Sequence, residues 1–517
     1  MKRFSFFLFF VISTSFIFAE RYQIKDVRYF ISGMTREYAL EKIVDIEKDR
    51  IFESYEEFRI YIDDLTNQFN SERNLSSAIV NVSYDPTLSE KNICFTTLNI
   101  MTQDSKHFLA LPYPKYDSNE GFLLKLKMKD TNFLGTMETL DFDLNFAIEH
   151  NDDENKDDVV FGVNFDYDYP FKLWKVDSSW NNTFSIDYTM GETKPEFEYE
   201  TGFTFSIPFS TYSLQIDFTQ GIERNFDYLE YDDDLFYTEY AKFSIPITVA
   251  NIDNWGKVEW TPFVDYTLNW DDNGIEELNE DLTSPIFSVG HEISSGRISW
   301  IGNFRQGVDF TISQNLGYNY QKSEYLASVN GSISLHKAFK YFGFSSRIQG
   351  FGHINKTEKI GSYLRGIKDD QEYKDLDIEA LKVKTAIVCN IDIPIKIMKT
   401  NWNGWTESLF GEESWIANNF RWMRYFDFEL QVVPFFDFAL SNNLQTERTF
   451  SILDGWYAGG LEVLVYPAKW RSLVVRASAG VDVGRKIMPK VVSPLIDTWW
   501  RSECSAFELY IGIGLHY

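Results

Sequence analysis

From about residue 120 to the end of the chain, apolar and polar side chains alternate with a period of two. In 197–209, for example, Phe, Tyr, Thr and Ile at the odd positions alternate with Glu, Gly, Thr, Ser and Pro. Because successive side chains of a strand point to opposite faces, each such segment predicts a β-strand with one apolar and one polar face. Acidic, turn-prone segments such as 151–158 and 271–281 separate the strands. The fold must therefore cover an apolar face on strand after strand.

The composition indicates what covers that face. Aromatic residues make up 17% of the chain, yet the mean hydropathy is −0.28. After residue 20 no run approaches the roughly 18 apolar residues of a membrane-spanning helix. Aromatic-rich alternating strands of about ten residues are typical of membrane barrels, whose strands face lipid on one side and the lumen on the other. About 17 candidate strands occur, and because barrels prefer even numbers we predict an all-β transmembrane antiparallel barrel of about 16 strands over 120–517.

The N-terminus has the pattern of a secretory signal peptide. Lys2 and Arg3 precede an apolar stretch over 4–18, and Ala19 is followed at once by charged residues. A short basic region, an apolar stretch and a small residue before the mature chain are the three parts of such a signal. We predict a signal peptide over 1–19.

Residues 20–103 predict a small α+β domain of β-α-α-β-β order. Ser54 and Glu57 form an S-x-x-E capping box that begins a helix. The apolar residues of this helix have the spacing of one buried face; they are Phe58, Ile62, Leu65 and Phe69. Alternating segments on both sides predict the strands. The following residues, 104–119, contain two prolines and are predicted to be a linker.

One segment between predicted barrel strands, 355–381, has 27 residues. Loops of this length are usually functional or disordered. Its centre carries four residues that we single out as a loop motif: Leu364, Arg365, Gly366 and Ile367.

Together with three other motifs, this loop resembles the Omp85 superfamily of outer-membrane insertases and transporters. The other motifs are NFLG at 132–135, NIDIPI at 390–395 and PFFDFA at 434–439. In that superfamily, one or more POTRA domains of β-α-α-β-β order precede a 16-stranded barrel, and the sixth extracellular loop folds into the lumen with a (V/I/L)RG(F/Y) tip. Ile367 departs from that pattern, and Ala439 stands in place of a glycine. The resemblance covers about 20–517.

The resemblance implies a location, a function and partners. The barrel would lie in the outer membrane with a POTRA-like domain in the periplasm. It would insert barrel proteins into that membrane or transport a client across it. Its partners would be outer-membrane lipid, an unfolded barrel or secreted protein client, and periplasmic accessory proteins, with no cofactor.

Strand parity predicts partners for the loop arginine. If the apolar neighbours of Asp437 and of Asp392 face lipid, both carboxylates face the lumen. A guanidinium there can form charge-assisted bonds with such acids, and Gly366 permits a tight tip. The resemblance implies that the pairing of Arg365 locks the loop. The alternative is that Arg365 is a solvated arginine of a surface loop.

A barrel must also close, and we predict that strand 122–130 pairs with 505–517. Backbone groups left unpaired in lipid are costly, so a short or weak seam can act as a gate. In the superfamily, client strands are thought to enter at this seam. The predicted seam residues are Phe122, Leu124, Leu126, Ile513, Leu515 and Tyr517.

Several classes of function are disfavoured. The chain has a formal net charge of −28, which argues against binding nucleic acid through a basic face. Its three cysteines form no metal-ligand pattern, and no nucleophile elbow, phosphate loop or dinucleotide motif occurs. We expect neither enzyme activity nor a metal. A dedicated translocator, a lipid transporter, a passive porin-like channel and a surface antigen remain open as alternatives.

Overall fold

The computed structural model describes most of the chain between residues 21 and 516. The predicted signal peptide, loop residues 368–381 and Tyr517 lie outside the described residues. The described stretches are 21–48, 50–85, 93–117, 121–151, 156–226, 235–252, 255–272, 274, 282–367, 382–412, 414–419, 421–443, 448–486 and 507–516.

The N-terminal part is a small α+β domain. Its sheet has the strand order β2-β1-β4-β3, in which β1 and β4 are parallel and the other neighbours antiparallel. The short β2 is an addition to the predicted element order. The elements are β1 (Arg21–Ser32), α1 (Glu37–Ile43), β2 (Ile51–Phe52), α2 (Tyr55–Ser71), β3 (Leu75–Asp85) and β4 (Ile93–Asp104).

Helix α2 begins at the capping box and buries its apolar face. The backbone N–H of Glu57 donates to the Ser54 hydroxyl at 3.2 Å, which satisfies one of the free donors of the first turn. The buried residues of α2 are Phe58, Ile62, Leu65 and Phe69. They form one cluster with sheet residues such as Ile24 and Leu98. This cluster is the core of the domain.

The rest of the described chain is mainly an antiparallel barrel that closes on itself, which confirms the predicted fold class. The strands that follow the domain are β5 (Phe108–Asp117), β6 (Gly121–Asp130), β7 (Leu140–Asn151), β8 (Lys156–Leu173), β9 (Val176–Thr189), β10 (Glu196–Pro208), β11 (Ser213–Arg224), β12 (Leu235–Ser244), β13 (Ile247–Ile252), β14 (Gly256–Trp270), β15 (Ile286–Ile301), β16 (Phe304–Asn319), β17 (Glu324–Ala338), β18 (Gly343–Ile354), β19 (Glu358–Lys359), β20 (Lys382–Val383), β21 (Thr385–Asp392), β22 (Ile395–Lys399), β23 (Phe428–Asn443), β24 (Arg448–Thr449), β25 (Trp456–Pro467), β26 (Val475–Asp482) and β27 (Phe507–Ile513). All except β19 and β20, which pair with each other, belong to the barrel.

These 21 barrel strands occupy 18 positions around the described barrel, more than the predicted 16 or so. Strands β12 and β13 are two parts of one position, separated at Pro246, because both pair with β14. Strands β21 and β22 are likewise separated at Pro394, and both pair with β23. Proline interrupts the ladder in each case because it has no N–H to donate. The short β24 pairs with the end of β23 in the loop before β25.

The outer surface of the barrel is apolar. Large apolar side chains are exposed two residues apart along the strands, as at Ile216 and Phe218 on β11 and at Phe287 and Val289 on β15. A closed barrel with such a surface is stable where lipid covers it. Among the described helices, none is both long and apolar enough to cross a bilayer.

The predicted linker is corrected by the structure. Residues 108–117 form β5, which pairs along its length with β6. Pro112 and Pro114 favour a linker on sequence alone, but they lie opposite Leu126 and Leu124 within this ladder. Proline is tolerated in a strand where its missing donor is not needed, and the barrel therefore begins earlier than the sequence pattern indicated.

The predicted seam is corrected as well. Because β5 is the first barrel strand, β27 pairs with β5 and not with β6. Phe122, Leu124 and Leu126 lie on β6, between β5 and β7. Ile513 ends β27, while Leu515 follows the strand and packs against the cluster that contains Val433, Leu464, Tyr466 and Val474.

The N-terminal domain lies against one end of the barrel, which we call the domain end; the opposite end is the far end. Arg297 of β15 donates to both oxygens of Asp64 on α2, at 3.0 and 2.6 Å. Lys257 of β14 forms an ion pair with Asp45 at 2.6 Å. The guanidinium of Arg73 lies 4.2 Å from the ring centroid of Trp300. Charged contacts from several turns thus fix the domain to this end.

The NFLG motif forms one of these contacts. It lies in the turn between β6 and β7, where the Asn132 side chain donates to the Thr35 hydroxyl at 2.8 Å. The backbone N–H of Arg36 donates to the Gly135 carbonyl at 2.8 Å. A Cβ added at Gly135 would lie 1.9 Å from the Met34 carbonyl oxygen, so only glycine permits this approach. The motif therefore links the first domain to the barrel.

We expect Asp64→Asn to weaken the contact between the domain and the barrel by about 1 kcal/mol, because a bidentate charge-assisted pair becomes a neutral one. Hydrogen–deuterium exchange of α2 in the full-length protein would report this as faster exchange. Asp63→Asn is the matched control, since the Asp63 side chain is 65% exposed and its contact with Arg59 is 4.0 Å long. Equal effects of the two variants would contradict a role for the Arg297 pair.

The same contact has a predictable pH dependence. Burial alone would raise the pKa of Asp64, but hydrogen bonds from Arg297 and Gln68 hold this pKa below its ordinary value. A carboxyl whose pKa is lowered in the folded state contributes stability above its unfolded pKa of about 3.9 and loses it as the pH falls through the folded pKa. Acidification below about pH 4 should therefore speed exchange in α2 of the wild type more than in Asp64→Asn.

Candidate functional site

The described part of the loop after β18, residues 355–367, reaches the inner wall of the barrel. After β18, Glu358 accepts hydrogen bonds from the Tyr363 hydroxyl and, at 2.8 Å, pairs with the His353 ring. A short 3₁₀ turn over Gly361–Tyr363 then leads to the motif. The Asn390 side chain on β21 donates to the Tyr363 carbonyl at 2.9 Å. These contacts deliver the motif to the wall formed by β21 and its neighbours.

Apolar side chains on both sides of Arg365 anchor the tip. Leu364 and Ile367 are buried in a cluster with loop and wall residues. The wall residues of this cluster include Val388, Ala439 and Trp456. Ile367 thus occupies a buried place although it is not the aromatic residue of the motif that the loop resembles. Burying these two side chains stabilises the docked loop by roughly 1.5–3 kcal/mol each.

Arg365 is held by three carboxylates. Its guanidinium donates to both oxygens of Asp437, through Nε at 2.9 Å and Nη2 at 2.7 Å. Nη2 also donates to Asp392 at 2.7 Å, and Nη1 donates to Glu462 at 3.4 Å. The backbone N–H of Arg365 donates to Asp437 at 3.0 Å. Asp437 therefore binds both the side chain and the main chain of the tip.

The electrostatic environment keeps this arginine charged. Only 5% of Arg365 is exposed, and its guanidinium lies 3.9 Å from the ring centroid of Phe435. Burial alone would lower the pKa of Arg365, but hydrogen bonds to Asp437 and the charges of Asp392 and Glu462 raise this pKa above its ordinary value. A second buried cation, Arg476, lies 3.9 Å from Glu462. Two cations and three acids thus form a buried network in which each group depends on the others.

Gly366 brings the tip into contact with the last two strands. Its φ is +90°, and an added Cβ would lie 2.5 Å from the backbone N of Val481 and 2.7 Å from the carbonyl carbon of Gly480. A Cβ added at Gly480 would in turn lie 2.8 Å from the Gly366 Cα. The Gly366 N–H donates to Glu508 of β27 at 2.6 Å. The tip thus reaches the strand that closes the barrel.

The structure brings together all the residues that the sequence analysis placed at the loop. Asp392 and Asp437 lie on the inner wall, on neighbouring strands, and Arg365 binds both. Sequence reasoning missed Glu462, Gly480 and Glu508. The first could have been found, because an acid occurs at an inward position of the otherwise apolar stretch of β25.

Beside the loop, the lumen contains a chamber of about 780 Å³. It lies toward the far end, between the loop and strands β14 to β18. Its wall is rich in small hydroxyl and amide side chains, including Thr267, Ser288, Ser313, Asn315, Asn330 and Gln349.

The solved structures that are similar to this chain include the following three. CdiB from Acinetobacter baumannii is 10% identical, with a TM-score of 0.46, and the match covers 96% of this chain and 74% of that one. CdiB from Escherichia coli is 9% identical, with a TM-score of 0.42 and coverage of 89% and 72%. BamA from Haemophilus ducreyi lacking POTRA domains 1–3 is 10% identical, with a TM-score of 0.35 and coverage of 89% and 80%. No protein-family model and no curated protein matches the chain.

Proposed function

We propose that this protein is an Omp85-like outer-membrane protein that inserts barrel proteins into the outer membrane or transports a protein client across it. Its N-terminal domain would lie in the periplasm. The observation that carries the proposal is the loop tip held in the lumen by Arg365 and its three carboxylates. Burying such a network is costly in free energy, and a plain pore does not require it.

The tip is placed to influence how the barrel closes. It contacts β21, β23 and β25 through the partners of Arg365, and β26 and β27 through Gly366. These five strands occupy consecutive positions that end at the seam between β27 and β5. A docked tip therefore supports the wall next to the seam, and its release would weaken that wall.

The seam itself has features of a weak pairing. Pro112 and Pro114 of β5 are two residues apart, so their missing N–H groups belong to the same side of the strand. The Thr131 N–H donates to the His107 carbonyl opposite it, so in this register the odd-numbered residues of β5 bond to β6 and the two missing donors lie on the side of β27. A client strand that pairs at this seam would replace few hydrogen bonds.

The N-terminal sheet offers a place for an unfolded client. Strand β3 has 11 residues and forms one edge of the sheet. An extended peptide can add to such an edge through main-chain hydrogen bonds, with little dependence on sequence. This supports reception of an unfolded polypeptide in the periplasm before it reaches the barrel.

The chamber in the lumen favours a second candidate, transport of one client through the barrel. Its wall offers neutral hydrogen-bonding groups and few apolar ones, which suits passage of a polar chain. The two candidates differ in where the client crosses the wall of the barrel, at the seam or through the lumen.

Depletion of the protein, followed by quantitative outer-membrane proteomics, tests the proposal. Loss of many unrelated barrels is expected for an insertase, and loss of one or a few secreted proteins for a dedicated transporter. An unchanged proteome would remove both and leave lipid transport, a passive channel or a surface antigen. Re-expression of wild type and of Arg365→Ala in the depleted strain shows whether the loop tip is needed for the restored function.

A further inference from the structure

One connection between strands at the domain end is much longer than two of the turns at the same end. Residues 400–427 join β22 to β23 and contain α3 (Trp402–Phe410), α4 (Trp415–Asn419) and a 3₁₀ turn over Arg421–Phe426. The domain-end turns between β8 and β9 and between β15 and β16 have two residues each. A turn of two residues is enough to connect antiparallel strands, so the extra length needs another explanation.

This segment exposes large apolar side chains. Eight of its 28 residues are aromatic, four of them tryptophans. No residue of α3 is buried, and Leu409 and Trp415 are 76% and 72% exposed. Further exposed aromatic side chains are Trp405, Phe410, Trp422, Tyr425 and Phe426. Exposed apolar surface of this extent is unfavourable in water and marks an interaction site.

The exposed surface continues the outer surface of the barrel. Ile393, Ile395 and Ile397 are exposed at every second position down to the end of β22, where the segment begins. The two ends of the segment are held together at the foot of these strands, because Asp427 accepts hydrogen bonds from the Trp402 backbone at 2.9 Å and the Thr400 hydroxyl at 3.3 Å. The apolar side chains of 400–427 therefore begin where the lipid-facing column ends.

We propose that segment 400–427 lies in the headgroup region of the bilayer leaflet at the domain end and fixes the barrel to that leaflet. Tryptophan and tyrosine are favoured at this depth because their rings are apolar and carry one polar group. The segment contains four acids and two arginines, so binding rests on apolar burial and not on attraction to anionic lipid. The partner is thus a phospholipid surface, zwitterionic lipid included.

The test uses the full chain in nanodiscs of phosphatidylcholine that contain a phospholipid with a photoactivatable group near the headgroup. Labelled sites are mapped by mass spectrometry. We expect Leu409 and Trp415 to be labelled about five-fold or more above Ile60, because only the segment lies at headgroup depth. Ile60 is the matched control, since it is an apolar helical residue of the N-terminal domain with 57% exposure.

Two variants separate lipid binding from folding. Leu409→Asp should reduce labelling of the segment several-fold and leave labelling of the barrel surface at Ile397 unchanged, while Ile60→Asp should change neither. Labelling of Leu409 and Trp415 at the level of Ile60 would overturn the proposal. So would protection of the segment from both the lipid reagent and a water-soluble one, because a protein surface would then cover it.

Discussion

Arg365→Ala is expected to release the loop tip from the lumen wall and to destabilise the barrel by about 3–5 kcal/mol. The substitution removes the only group that the structure shows binding Asp392 and Asp437 together within the described residues. Asp392, Asp437 and Glu462 would then remain close together in a buried site, where Arg476 still lies 3.9 Å from Glu462. Their mutual repulsion and lost hydrogen bonds are the source of the expected effect.

Urea unfolding of the protein in detergent micelles measures the loss of stability. The rate at which added protease cleaves the loop, residues 355–381, measures release of the loop. Arg347→Ala is the control, because Arg347 lines the lumen chamber and lies outside the network of Arg365. It should change both quantities little. Arg365→Lys should fall between wild type and Arg365→Ala, since a lysine keeps the charge but cannot bind both oxygens of Asp437 with a planar fork. Equal stability of Arg365→Ala and Arg347→Ala would refute the role of Arg365 in holding the loop tip on the lumen wall.

Exchanging the charges of Arg365 and Asp437 is a weaker test of their pairing than the sequence alone indicates. Pairing of Arg365 with Asp437 predicts that Asp437→Arg partly rescues Arg365→Glu. The structure shows two reasons why the rescue should be small. Asp392 and Glu462 would face a third acid at the tip, and Asp437 also accepts the backbone N–H of Arg365. The single substitutions are therefore more informative.

The residues at the loop tip could be found from sequence because they follow local rules. Asp392 and Asp437 each interrupt an apolar run, and period-two parity then turns them inward. Gly366 could be singled out because a tight tip favours glycine. Glu508 and Gly480 could not be found in this way. Their role depends on which strands lie beside the tip, and strand order around a barrel is a long-range property.

The first barrel strand shows the limit of local signals more sharply. Proline interrupts most strands, so Pro112 and Pro114 lead the local sequence to predict a linker over 104–119. Only the closed ladder reveals that 108–117 pairs with β6 on one side and β27 on the other. The predicted strand count is low for the same reason, because β5 is missing from the candidate strands and adds one position to the barrel.

Gly366→Ala should undock the tip as completely as the loss of Arg365, although it removes no charge. An alanine at φ +90° is strained by about 1–2 kcal/mol, and its Cβ would also meet the backbone of Val481 at 2.5 Å. Gly411→Ala is the control for backbone strain without a clash, because Gly411 has φ +87° and ψ 147°, a region essentially restricted to glycine, and no atom lies within 4 Å of an added Cβ. In urea unfolding we expect Gly366→Ala to lower the free energy of unfolding by several kcal/mol more than Gly411→Ala, since the backbone of β26 cannot move aside as a side chain can. Added protease should also cleave the loop faster in Gly366→Ala than in Gly411→Ala. Similar losses for the two variants would mean that the tip does not depend on its close approach to Gly480.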